Sequence, residues 1–186
     1  ATRDCSSSSG WSLSRLEAVL ETCDHFITES RMNTSDTYSF ITFNEESVLN
    51  FSCLSAIDAA IALKSVTAVP QRQTFYAMGV RGIEAAIRRD KEKRPTHVIF
   101  LSDGEPTDPD SYSKDLHVLR RKHAGEELRI YTVGFGESAK VNEREEDFIY
   151  LQQLASVGRG HFQRCGASLT SLQGAFTALT SSITQT

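Results

Sequence analysis

No apolar run in this chain approaches the ~18 residues that a membrane-crossing helix requires. A basic excess is also missing. Lys and Arg number 20 against 24 Asp and Glu, giving a net charge of −4 and a pI near 5.7. That argues against a general polyanion binder, since nucleic-acid-binding domains usually carry surplus positive charge. The four cysteines, Cys5, Cys23, Cys53 and Cys165, form no C-x-x-C pair, which removes the usual spacing of a zinc site. Their wide scatter favours buried free thiols over a disulfide framework. The opening Ala1-Thr2-Arg3-Asp4 has none of the features of a signal peptide. With the scattered thiols this leans the expectation towards the cell interior, although a domain cut from a longer protein would read the same. Two sequons, Asn33-Thr34-Ser35 and Asn50-Phe51-Ser52, are as many as chance supplies and do not fix a compartment. There is no G-x-G-x-x-G opening a helix and no G-x-S-x-G elbow, so neither a dinucleotide fold nor an α/β-hydrolase is indicated. His25, His97, His117, His123 and His161 show no metal-ligand spacing and read as surface or satisfied interior residues.

What is present is ordinary globular material. The chain has 186 residues, 39% hydrophobic and 24% charged, which suits a single domain over 1–186 with one core, expected to be part of a longer protein. Leu13, Leu16, Leu20, Cys23 and Ile27 recur at helical spacing and predict a helix over 11–29, with Ser12 as its N-cap. Residues 37–43 (TYSFITF) are β-branched and aromatic and predict a buried strand. Asn44-Glu45-Glu46 turns the chain into a hairpin partner over 47–51. A helix is expected over 54–66, with Leu54, Ile57, Ile61 and Leu63 as its apolar positions, and another over 75–91 with Ala77, Val80, Ile83, Ala86 and Ile87 on its inner side. Residues 96–101 (THVIFL) and 128–135 (LRIYTVGF) read as continuous apolar strands of the fully buried kind. Helices over 112–123, 147–157 and 169–183 and a short strand over 160–163 complete the order. Strands that alternate with helices, apolar throughout from residue 96 on, predict an α/β fold. It is a doubly wound, mostly parallel sheet with helices on both faces and one antiparallel edge strand.

Three stretches carry chemistry. Asp4-Cys5-Ser6-Ser7-Ser8 is a D-x-S-x-S run. Thr74 stands just before the 75–91 helix. Leu101-Ser102-Asp103-Gly104 ends the 96–101 strand. In a doubly wound sheet, ligands gather at the carboxyl ends of the strands near the switch point. Three hydroxyls (Ser6, Ser8, Thr74) and two carboxylates (Asp4, Asp103) are hard oxygen donors of the kind Mg²⁺ accepts. Some of these act through water, so the set leaves the cation under-neutralised on its open side, where an outside carboxylate can complete the shell. Glu105, Asp108 and Asp110 read as a solvated acidic loop rather than ligands. The plain alternatives are a serine-rich helix cap for residues 4–8, an N-cap for Thr74 and a turn residue for Asp103.

These stretches together resemble the metal-ion-dependent adhesion site (MIDAS) of von Willebrand factor type A (vWA) domains. Ile41-Thr42-Phe43-Asn44 is similar to the family's second strand, and Tyr131-Thr132-Val133-Gly134-Phe135-Gly136 to its fifth. The resemblance covers nearly the whole chain and implies a Rossmann-like fold. It also implies a non-enzymatic binding module that uses Mg²⁺ or Mn²⁺, a protein partner donating Asp or Glu to the metal, and no nucleic-acid or membrane role. The sequence departs from the family in two places. The hydrophobic first strand that should precede Asp4 is represented only by Ala1-Thr2-Arg3, and Ser9 stands where many members carry Met. Two other functions fit the residues less fully. One is a structural subunit of a larger complex with a non-functional metal site. The other is a metal-dependent phosphohydrolase built on Asp4, Asp103 and Glu105, for which the sequence offers no general base.

Overall fold

The computed structural model describes residues 15–29, 35–67, 73–92, 94–102, 105–125, 127–136, 148–166 and 168–184. Its elements are α1 (Arg15–Glu29), β1 (Tyr38–Phe43), β2 (Ser47–Leu54), α2 (Ala56–Leu63), α3 (Tyr76–Arg89), β3 (Thr96–Ser102), α4 (Pro109–Lys122), β4 (Leu128–Gly136), α5 (Ile149–Val157), β5 (Arg159–Gly166) and α6 (Leu169–Thr184). β3, β4 and β5 form a parallel sheet in that order, and β1 pairs antiparallel with β2. The expected α/β architecture with its antiparallel hairpin is therefore present. The part of the first helix expected over 11–14, the Ser12 cap, the loop over 137–144 and the start of the helix expected from 147 lie outside the described residues.

Helices cover both faces. On one side Cys23 and Ile27 of α1, Ala59 and Leu63 of α2, and Leu172, Phe176 and Leu179 of α6 pack on Tyr131, Val133 and Phe135 of β4. On the other, Val80 and Ile83 of α3, Leu116 and Leu119 of α4, and Leu151 and Leu154 of α5 pack on Ile130 and Phe100. β4 is buried along its length because it lies between two partner strands and two helical layers. Its one inward hydroxyl, Thr132, donates to the Leu151 carbonyl at 2.9 Å, which removes the penalty of burying a polar group.

The hairpin and the parallel sheet share a layer without sharing a ladder. Arg94, just ahead of β3, donates to the carbonyl of Ser35, just ahead of β1. At the other ends, the Phe43 and Phe100 rings lie 4.7 Å apart. Start therefore meets start and end meets end, so β1 and β3 run in the same direction. Yet among the described residues no strand pairs with either across this seam. The apolar residues beside it show the effect. Ile41 and Phe43 in β1, and Val98, Ile99 and Leu101 in β3, are only half-buried. The expectation that 96–101 is fully buried is corrected accordingly. The sequence pattern records a strand meant for the middle of a sheet, and in the described residues β3 has a strand neighbour on one side only. α3 bridges the seam from one face, and Gly79 lets it lie close: a Cβ there would come within 2.6 Å of the Phe100 ring and 3.3 Å of Phe43.

Two boundaries differ from expectation for local reasons. β2 runs on to Leu54, which pairs with Tyr38, so Leu54 belongs to a strand and not to the helix. The helix starts at Ala56 because Ser55 caps it, its hydroxyl accepting from Asp58 N–H at 3.2 Å. α2 then buries Ala56, Ala59, Ala60 and Leu63, leaving Ile57 and Ile61 61% and 63% exposed. Two of the apolar positions named for this helix therefore face outward. α2 is seated on its small residues, and the alanine face fits a close approach to α1 and β2.

Candidate functional site

The carboxyl ends of β1 and β3 meet the root of α3, and backbone hydrogen bonds lock the three together. Phe75 N–H donates to the carbonyl of Asn44, the residue after β1, at 3.2 Å. Thr107 N–H donates to the Thr74 carbonyl at 2.8 Å, and Thr74 N–H returns a bond to the Thr107 hydroxyl at 3.3 Å. The loop beyond β3 thus pairs with the residue ahead of α3 as a two-way clasp.

Asp108 completes the arrangement. Its Oδ1 accepts from Tyr76 N–H at 2.7 Å and its Oδ2 from Ala77 N–H at 2.9 Å. A helix start has orphan N–H groups and a partial positive charge, and a carboxylate satisfies both. Phe75, the residue at the cap position of α3, supplies no side-chain bond, so the cap comes from 32 residues away. The reading of Asp108 as a solvated loop residue is corrected by these bonds. Sequence offered only the Asp108-Pro109 pair, which marks the start of α4 and gives no hint that the carboxylate serves a different helix. Glu105 and Asp110 are exposed, as expected of a solvated loop.

Thr74 is half-buried at this junction. It is not the N-cap of α3, which removes its plainest structural role. Its backbone is held on both sides, while its hydroxyl enters no hydrogen bond among the described residues. A fixed, uncommitted hydroxyl is the form in which a threonine serves a hard cation. Asp4, Ser6, Ser8 and Asp103 lie outside the described residues. The structure therefore places one of the five expected ligands, and it places the chain on either side of Asp103, at Ser102 and Glu105. Among the described residues, no group of three or more His, Cys, Asp or Glu is arranged to hold a metal.

Several other titratable groups sit in structural surroundings. Cys23, Cys53 and Cys165 are free thiols, in line with expectation for these three. Burial pushes the Cys23 thiol up to about 12 and Cys165 up to about 11. His97 stacks on Tyr131 with ring centres 6.0 Å apart, and burial lowers its pKa. The hydrogen bond from Lys122, with Arg88 assisting, draws the Glu84 carboxyl below its ordinary value.

A family model described as the von Willebrand factor type A domain matches residues 4–176. The chain belongs to the vWA domain family. Among solved structures, the domain resembles the BatB protein of Bacteroides thetaiotaomicron, with a TM-score of 0.69 at 16% identity over 92% of this chain and 89% of that one. Proximal thread matrix protein 1 of the mussel byssus, solved with a zinc-occupied MIDAS motif, gives a TM-score of 0.66 at 18% identity. There the match covers 88% of this chain but 39% of that protein. The VWA domain of SpRpn10 gives 0.62 at 13% identity over 87% of this chain and 82% of that one. At these identities the likeness is one of fold. No curated protein sequence matches this vWA domain. The family's members are interaction modules, and no described helix is long and apolar enough to cross a membrane.

Proposed function

We propose that this vWA domain is a metal-dependent protein-binding module, one domain of a longer protein. Asp4, Ser6, Ser8, Thr74 and Asp103 hold Mg²⁺ or Mn²⁺, and the open side of that ion takes an Asp or Glu from a partner protein. The observation that carries this reading is the clasp. It fixes Thr74 by both backbone groups at the loop that follows Asp103, and the Thr74 hydroxyl enters no hydrogen bond among the described residues. The donor set suits the ion, because hydroxyls and carboxylates are hard ligands and a carboxylate that acts through water leaves the open side of the ion under-neutralised. The zinc-occupied motif of the mussel protein supports a divalent cation without choosing among metals. Asp108 is spent on the α3 backbone, so it supplies neither a further ligand nor a water-activating base, which weighs against a phosphohydrolase.

A second reading is a structural subunit whose metal site does not function; the seam, across which no described strand joins β1 to β3, favours it. Calorimetric titration with Mg²⁺ separates the two. The binding module gives a saturable heat that Asp103→Ala abolishes and Thr74→Ala weakens. Absence of heat in the unsubstituted protein would leave the structural subunit. Partner capture that survives EDTA would remove the role of the metal while keeping that of the domain.

A further inference from the structure

At the opposite end of the sheet from Thr74, where β4 and β5 begin, lies a cavity of about 480 Å³ lined by His117, Arg120, Arg121, Ala124 and Arg159. A protein of net charge −4 has placed three guanidinium groups and an imidazole around one hollow, with no acid among the described residues of its wall. His117, Arg120, Arg121 and Ala124 fall on one face of α4 and its end, at the i, i+3, i+4 and i+7 spacing that brings helical residues together. Ala124 leaves the floor open. Arg159 closes the hollow from the other side.

Arg120 is fixed through its side chain and Arg159 through its backbone. The Arg120 guanidinium donates to the carbonyl of buried Leu128 at 2.7 Å, which spends one of its five donors. Arg159 stands between Gly158 and Gly160. A Cβ on Gly158 would strike the Ile130 side chain, and one on Gly160 would strike the Ile130 backbone. Ile130 N–H also bonds the Gly158 carbonyl at 3.0 Å. Both glycines are needed for that approach, and the left-handed conformation falls on the arginine instead, with φ 56°. A non-glycine residue held there is strained, and such strain persists only where the surroundings over-determine it. Burial and then the charge of Arg159 depress the pKa of Arg120, the mark of two cations held together. Neither Arg121 nor Arg159 has a carboxylate partner among the described residues.

We propose that this cavity binds a dianionic phosphate group, on a small molecule or on a phosphorylated residue of a partner. Paired guanidinium forks match phosphate oxygens in geometry as well as charge. The site is separate from the metal end and does not depend on it. The competing explanation is that the arginines only offset the negative ends of α4 and α5.

The test uses the metal-free protein, dialysed against EDTA, titrated by calorimetry with inorganic phosphate, pyrophosphate and a short phosphoserine peptide. Arg159→Asn removes the charge while tolerating the positive φ, and Arg121→Gln removes a second, exposed charge. Saturable binding is expected that weakens about tenfold in Arg159→Asn, weakens again in the double variant, falls with added salt and is unchanged in Thr74→Ala. Tighter binding of the peptide than of free phosphate assigns the group to a partner, and the reverse assigns it to a small molecule. No binding at roughly 10 mM phosphate, or equal affinity in Arg159→Asn with its fold intact, overturns the proposal. A lower melting temperature in Arg159→Asn without any phosphate binding by the parent leaves only the helix-end role.

Discussion

Replacing Asp108 by Ala should be among the most damaging changes available outside the hydrophobic core. The carboxylate receives two N–H groups of α3 at 2.7 and 2.9 Å, and Tyr76, which donates one of them, is fully buried. A hydrogen bond to a charged group contributes ~1.5–3 kcal/mol, and the usual cap substitution costs ~0.5–2 kcal/mol. Asp108 is half-buried, so water can recover part of the loss. The sum for Asp108→Ala then comes to ~2–3 kcal/mol, or roughly 5–10 °C of melting temperature for a domain of this size. Asp108→Asn keeps one acceptor, turns an N–H₂ toward the second donor and loses the charge, so it should fall about midway. Asp110→Asn changes an exposed carboxylate in the first turn of α4 and should cost at most ~0.5 kcal/mol. Urea and thermal melts of the three variants measure this. The cap is refuted if Asp108→Ala loses no more than Asp110→Asn. It is equally refuted if Asp108→Asn and Asp108→Ala cannot be told apart from the parent. Mg²⁺ titration of Asp108→Ala carries a further expectation. The loop it anchors is clasped to Thr74, so affinity should drop even where most of the protein remains folded.

Three further outcomes follow from the packing and charges. Gly79→Ala should destabilise by ~1–3 kcal/mol, measured by urea melts, because its methyl would lie 2.6 Å from Phe100 and that ring is wedged against Phe43. Ile57→Lys and Ile61→Lys should each change stability by less than ~0.5 kcal/mol, since both side chains are exposed; a loss of several times that would mean α2 is seated the other way round. Glu84, tied to Lys122 at 2.7 Å and Arg88 at 2.6 Å, has its pKa lowered on folding. Its contribution is therefore present above the ordinary carboxylate value and lost as pH falls through the folded one. Its side chain is 21% exposed, so the bridge is worth at most ~1 kcal/mol. Glu84→Gln should narrow the stability gap to the parent as pH drops from 7 towards 3, and a gap that widens would reverse that sign.

The order of elements was legible because periodicity is a local property. The helical stripe on Leu16, Leu20, Cys23 and Ile27 and the apolar run of β4 need no knowledge of the rest of the chain. Apolar content marked Ile57 and Ile61 among the positions of the α2 stripe, whereas burial followed size. Alanines allow close approach, and which face of a short apolar helix is seated is decided by its neighbours. The sequence of β3 spoke for a central strand, but burial depends on what stands alongside it. Thr74 could be nominated from its place before a helix. The clasp to Thr107 and the distant Asp108 cap could not, since both join segments 31 to 33 residues apart with no pattern to announce the pairing.

The seam beside β3 ties cohesion to chemistry. β4 is gripped by a ladder on each side, while among the described residues the hairpin reaches the parallel sheet through helices, rings and the clasp at the foot of α3. Among the described elements, α3 is the strap that any rupture of that junction would have to strain. Thr74 sits at the base of that strap, so the same rupture would carry it off the loop past β3. A partner that grips both sides of that junction would hold the domain shut, and one that pulled the hairpin away would release whatever is held there.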